Sequence, residues 1–208
     1  MKIWTNTSTL SGFDRGLVFT ESKEEAEIAL IGSKPLEISQ FPNLKAIFRA
    51  GIGKDNVPVV QARKKNIVVR FPSEKTVDVI FEETSNFTCS LIFRMLYSNV
   101  GDLDSWRKTP RFQLKDKKLL IIGCGNIGSR VAEKMGNFLQ VHTYDILSDE
   151  NTSLEDLISS ADCITLHIPY NSTNHEFFDS EKLSLMKDDS SLVNTARGKI
   201  VDQDALFQ

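Results

Sequence analysis

The sequence predicts an α/β protein with parallel sheets, and three observations carry that prediction. Short apolar runs alternate with solvated helical patterns along the chain, the rhythm of strands joined by crossover helices. A continuous apolar run at 119–122 leads into Gly123, Gly125 and Gly128, the G-x-G-x-x-G spacing that follows a buried strand and opens a helix. Asp145 closes the next strand-like run, 20 residues past Gly125.

Taken in order, the runs at 2–4, 17–19, 26–31, 44–48 and 67–69 read as the strands of a first sheet. Residues 21–27 and 57–65 read as solvated helices between them. Residues 81–97 form a longer helical pattern with Phe87, Leu91 and Met95 four apart. Residues 98–117 are polar, contain Pro110 and lack periodicity, as a linker does. The second rhythm starts with the strand at 119–122 and a helix whose stripe includes Val131, Ala132 and Met135. A strand at 140–144 follows. Ser153 caps a helix striped by Leu154, Leu157 and Ile158. A strand at 161–167, a short helix opened by Asp179 or Ser180, a strand at 191–195 and a helix opened by Asp202 complete the chain. The expected division is a first domain over 1–97, a linker over 98–117 and a second domain over 118–208.

Composition removes several function classes. The chain has 208 residues, 40% hydrophobic and 25% charged, with a net charge of −3. That balance gives no reason to expect nucleic acid or an anionic membrane as partner. No apolar run approaches the ~20 residues of a membrane span, and the first residues lack the plan of a signal peptide. Cys89, Cys124 and Cys163 are widely spaced, which suits reduced thiols in a cytoplasmic protein. No metal-ligand spacing is present.

The glycine unit carries chemistry. Gly123 permits a tight turn, Gly125 lets the backbone approach a pyrophosphate, and Gly128 lets helix pack close to strand, with Asn126 and Ile127 between them. Asp145 is placed to accept bonds from ribose hydroxyls and favours NAD over NADP. Two further loops follow strand ends. Arg49, Ile52 and Gly53 belong to a glycine-containing loop that offers either a carboxylate nest or an ordinary turn. Thr195, Ala196 and Arg197 follow the strand at 191–195. With a strand order of 3-2-1-4 that strand would lie beside the glycine strand, bringing the Arg197 fork to the cofactor. His167 and Pro169 end another strand on the same side, where His167 reads as a partly buried neighbour of the nucleotide.

Together these segments resemble the D-isomer-specific 2-hydroxyacid dehydrogenases, and among them the phosphoglycerate dehydrogenase-like members. Residues 49–57 (RAGIGKDNV) resemble the family's substrate loop, 121–128 (IIGCGNIG) its nucleotide loop, and 166–169 (LHIP) and 193–202 (VNTARGKIVD) its two signature segments. The match runs from about Leu44 onward; residues 1–43 agree in pattern only. The resemblance implies a flavodoxin-like substrate domain plus an NAD-binding Rossmann domain, a cleft between them, a homodimer or higher oligomer, and NAD-linked interconversion of a 2-hydroxy acid and a 2-keto acid. It gives Arg197 the substrate carboxylate and ketone, Ile52 and Gly53 amide contacts to the carboxylate, Asp145 the adenosine ribose, and Thr195 and Ala196 the nicotinamide side. Arg49, as a second cation, inclines the reading toward phosphoglycerate-like substrates. Asn126, Lys54, Asp116, Asn171 and Asn174 depart from the family pattern. The family's second cofactor Asp, catalytic Glu and Glu-paired His fall beyond the matching stretch. The resemblance therefore implies a chain lacking its C-terminal third, impaired or inactive, with an open sheet edge that favours association. The rival expectation is a non-catalytic NAD(H)-binding module, similar to a redox-sensing corepressor.

Overall fold

The computed structural model describes residues 1–98, 104, 110, 112–146 and 153–207. Most of the expected linker thus lies outside the described residues. The chain divides into two compact units, Met1–Ile80 and Phe81–Gln208.

In the first unit five strands form one parallel sheet: β1 (Lys2–Thr5), β2 (Val18–Phe19), β3 (Ile28–Ile31), β4 (Ala46–Arg49) and β5 (Val68–Arg70), in the order β2-β1-β3-β4-β5. The central strands β3 and β4 bury Ala29, Ile31 and Ile47, and helix α1 (Val59–Lys64) closes on them through Ala62. Such strands, covered on both faces, read as near-continuous apolar runs. Residues 21–27 correct an expectation, since they form turns and no helix. Their glutamates tie the segment to strand ends. Glu27 donates its N–H to Lys2 O at 3.0 Å and its carboxylate takes the Lys2 N–H at 3.2 Å, while Glu25 pairs with the Lys2 ammonium at 2.8 Å. These ties to Lys2 fix the segment as turns leading into β3.

Helix α2 (Glu74–Leu96) begins seven residues before the expected start. Ser73 supplies the start signal, its hydroxyl accepting the Thr76 N–H at 3.4 Å. The remaining elements belong to the second unit: β6 (Lys118–Ile122), α3 (Gly128–Met135), β7 (Gln140–Tyr144), α4 (Leu154–Ser160), β8 (Cys163–Leu166), α5 (Ser180–Ser184), β9 (Ser191–Asn194) and α6 (Gln203–Leu206). Ser153, Asp179 and Asp202 cap α4, α5 and α6 through their side chains.

The parallel order is β7-β6-β8-β9, which corrects the expected neighbour of β9. After β7 the chain crosses back through α4 and β8 takes the free side of β6, from Leu119↔Cys163 to Ile122↔Leu166. With β7 and β8 on its two sides, β6 has no edge left, so β9 pairs with β8. The direction of winding therefore reverses between β6 and β8, and ligands of open α/β sheets sit outside such a switch point.

Alternation along these strands makes two cores. Leu119, Ile121, Cys163 and Val193 pack with Val131 and Met135 of α3 and with Cys89 and Ile92 of α2. Leu120, Ile122, Ile164 and Leu166 pack with Leu154 and Ile158 of α4 and with Phe178 and Ile200. No helix among the described residues is long and apolar enough to cross a membrane, and no group of three metal-ligating side chains occurs among them.

At the amino ends of the strands Asp162 gathers three segments. It accepts the Lys118 N–H at 2.8 Å and pairs with Lys117 at 3.4 Å and Lys187 at 3.2 Å. Burial pushes its carboxyl pKa up, but these bonds and charges more than offset that and hold it below the usual range. Asp162→Ala leaves the Lys118 amide without its acceptor. Urea denaturation should show a stability loss of about 1–3 kcal/mol, reduced at high salt; a change under about 0.3 kcal/mol would assign the cluster no structural weight.

Candidate functional site

The second unit concentrates its candidate residues at the carboxyl ends of β6, β7 and β8. Gly123 leaves β6 with φ +95°, and its N–H donates to Tyr144 O at 2.8 Å. A Cβ there would lie 2.8 Å from the carbonyl carbon of His167. A Cβ at Gly128 would lie only 1.9 Å from Gly123 O. Both positions therefore exclude side chains, one because the turn is left-handed and crowded, the other because α3 starts against the turn. Gly125 differs, since a Cβ there would meet nothing within 4 Å. Its bareness leaves space in front of the loop.

The amides of that loop are the site's donors. Cys124 N–H donates to Asp145 Oδ2 at 2.8 Å. No hydrogen bond among the described residues uses the N–H of Gly125, Asn126, Ile127 or Gly128. Four consecutive amides at a helix start, backed by the positive end of its dipole, form an anion site. Arg130 Nη1 donates to Asn126 O, which steadies the loop from the first turn of α3. Asp145 stands at the end of β7, tied to the loop through Cys124, so acid and amides hold one geometry.

His167 stands just past β8. Its N–H donates to Ile122 O at 2.7 Å, and its Nε2 lies 3.0 Å from Thr165 Oγ1. Burial pushes its pKa down to about 4, so the imidazole is neutral near pH 7. Pro169 is exposed beside it and its carbonyl accepts from Asn174 Nδ2 at 2.8 Å.

The loop after β9 is one strand further out. Asn194 holds it: its Oδ1 accepts from Ala196 N–H at 3.0 Å and its Nδ2 donates to Arg197 O at 2.8 Å. Arg197 is half-buried, and its Nη1 donates to Ala196 O at 2.9 Å. Thr195 Oγ1 is 2.9 Å from the hydroxyl of Thr88, a fully buried residue of α2.

In the first unit the loop after β4 is braced from inside. Arg49 is only 5% exposed. Its Nε donates to Gly53 O and Asn56 Oδ1, each at 3.2 Å, and its Nη1 to Ala50 O at 2.8 Å. Asn56 in turn donates to Gly32 O at 2.7 Å and Lys34 O at 3.0 Å. The N–H groups of Ile52 and Gly53 make no hydrogen bond among the described residues.

Thus Asp145, through the Cys124 amide, and His167, against Gly123 and Gly128, are joined to the loop that carries Gly125, Asn126 and Ile127, while Thr195, Ala196 and Arg197 share a separate loop of the same unit. Sequence reading passed over Thr165 and Thr88. The signal for Thr165 was a hydroxyl inside a buried strand two residues before His167, hence on the same face.

A diphosphate suits four open amides fronted by a bare Gly125, and a ribose suits an acid at the adjoining strand end. Residues 96–208 match the sequence model for the D-isomer specific 2-hydroxyacid dehydrogenase, NAD binding domain. The chain belongs to this family. It is 32% identical to a hydroxypyruvate reductase of Thermotoga maritima over 80% of its own length and 58% of that protein's. It is 30% identical to a D-3-phosphoglycerate dehydrogenase of Bacillus subtilis, covering 82% of this chain and 35% of the relative. The crystal structure of D-lactate dehydrogenase from Aquifex aeolicus, complexed with NAD and lactic acid, superposes with a TM-score of 0.74 at 29% identity, over 100% of this chain and 72% of that one. The chain therefore spans about a third to three-fifths of the length of these two curated relatives. NAD is the cofactor of this dehydrogenase domain.

Two outcomes follow for this family member. Gly128→Ala forces a Cβ onto Gly123 O, and chemical denaturation should show a loss of about 2 kcal/mol or more. His167 titrates near 6.5 when unfolded and about 4 when folded. The folded state thus binds fewer protons between those values, and stability falls as pH drops from 6.5 toward 4, by roughly 3 kcal/mol at the lower end. Urea midpoints measured across that range should fall more steeply for the parent than for His167→Gln; parallel slopes would assign the acid sensitivity elsewhere.

Proposed function

We propose that the second unit binds NAD with its diphosphate on the amides of residues 125–128 and its adenosine ribose on Asp145, and that the protein interconverts a D-2-hydroxy acid and a 2-keto acid. The observation that carries the reading is the run of four amides with no acceptor among the described residues, in front of a glycine whose side-chain position is open. Gly123 and Gly128 set the loop, and Asn126 and Ile127 contribute amides. His167, Pro169, Thr195 and Ala196 are assigned to the same cofactor. Residues 118–208 carry the NAD part, residues 1–97 the substrate part, and residues 98–117 the connection between them.

NAD supplies the hydride donor or acceptor when bound. The chain's own residues orient the acid. Arg197 is a planar fork suited to a carboxylate and a developing alkoxide. Its loop is preorganised by the Asn194 side chain, so little ordering accompanies binding. The amides of Ile52 and Gly53 are assigned the substrate carboxylate. Arg49 is assigned to bracing their loop, because its Nε and Nη1 donate to that loop's own oxygens. This favours small 2-hydroxy and 2-keto acids as a class over a phosphate-bearing one. The names of the relatives, which include hydroxypyruvate and D-3-phosphoglycerate, support the class and leave its member open.

NADH fluorescence titration tests the reading. The 208-residue protein should bind NADH, and Asp145→Ala should weaken binding about tenfold with a smaller effect on NADPH, whose 2′-phosphate the acid repels. Gly125→Val should abolish binding while leaving the urea midpoint nearly unchanged, since its side chain enters open space. Absence of NADH binding by the parent, or binding indifferent to both changes, overturns the reading.

A further inference from the structure

Thr165 is a polar residue in the middle of a buried strand, with no solvent-accessible surface. It lies on the α3-facing side of β8, in register with Ile121 and two residues before His167. Its hydroxyl sits 3.0 Å from His167 Nε2, and no other hydrogen bond to that hydroxyl occurs among the described residues. Water cannot reach it. A buried hydroxyl hydrogen left without an acceptor is strongly disfavoured, and the acceptor within reach is the imidazole nitrogen. An imidazole nitrogen accepts only when it carries no proton. Nε2 must therefore be bare, and the ring proton of the neutral histidine resides on Nδ1.

That nitrogen has no partner among the described residues. The ring stands against the nucleotide loop, since the His167 Cβ lies 3.4 Å from where a Gly128 Cβ would be and the His167 backbone crowds Gly123. We infer that Thr165 fixes His167 as the Nδ1–H tautomer, and that His167 thereby offers a neutral N–H donor to an oxygen of the dinucleotide. Thr165 is a positioning residue, acting through His167. The second half rests on the NAD reading above; the first stands without it. Burial of the ring supports the arrangement by keeping the imidazole uncharged at neutral pH, so the donor adds direction without the desolvation that a cation would bring.

The test reads tautomer and affinity separately. Long-range ¹H–¹⁵N spectra of the labelled 208-residue protein, recorded without ligand, should show His167 Nδ1 as the protonated nitrogen and Nε2 as the bare one. Thr165→Val, an isostere lacking the hydroxyl, should shift the ring toward the Nε2–H form and weaken NADH binding about three- to tenfold, the worth of one hydrogen bond. Thr165→Ser should restore both. A protonated Nε2 in the parent, or an unchanged tautomer and affinity in Thr165→Val, overturns the inference even where NADH binds. Should Thr165→Val fail to fold, the parent spectrum and Thr165→Ser still decide the tautomer. A parent with the expected tautomer but no NADH binding overturns the NAD reading, and the ligand half of this inference with it.

Discussion

The second unit depends on how closely α3 approaches the end of β6. The site a Cβ would occupy at Gly128 is filled by the carbonyl oxygen of Gly123, at 1.9 Å. A helix that close must begin almost at once after the strand, so the connecting turn is short and Gly123 adopts a left-handed φ of +95°. The same closeness brings the first amides of the helix beyond the sheet's carboxyl edge, where no hydrogen bond among the described residues uses them. Strand β7 then secures the turn from the side through the Tyr144 carbonyl and the Asp145 carboxylate. Backbone geometry, glycine placement and the exposure of these amides are one arrangement here.

The face of the sheet under α2 and α3 changes character along the strands. At its amino end it presents Cys163, Val193 and Leu119, all apolar and buried. Two residues further along each chain, the same face holds Thr165 in β8 and Thr195 just past β9, the latter met by Thr88 from α2. Each hydroxyl is matched to a partner, as buried polar groups require. The core thus grades from a packing surface into a hydrogen-bonded frame beside the nucleotide loop. Across the sheet, the face packed by α4 stays apolar through Leu166, which fits a structural rather than a chemical role.

Much of this was legible in the residues. Strands such as 119–122 and 163–166 are buried on both faces, so hydrophobicity alone locates them. The glycine triplet is legible because each position excludes side chains or uses their absence, and Ser153, Asp179 and Asp202 cap as their residue types suggest. Legibility ended where tertiary partners decide. Residues 21–27 carry helix-forming glutamates, yet Lys2 and Lys45 engage them at strand ends. The place of β9 depends on which side of β6 the crossover through α4 takes, and local pattern holds no record of it. The burial of Arg49 and its bonds to Gly53 and Asn56 arise only in the fold.

The distribution of sulfur has a practical corollary. Cys163 has no accessible surface and its thiol is pushed up to about 12, and burial raises Cys89 as well. Both resist the thiolate chemistry on which alkylation depends. Cys124 is half-exposed and is the residue whose amide joins the glycine turn to Asp145. A maleimide dye would therefore mark one place in this molecule, and that place borders the amide cluster. The native chain already carries an attachment point for an optical reporter of whatever settles there, with no engineered cysteine required.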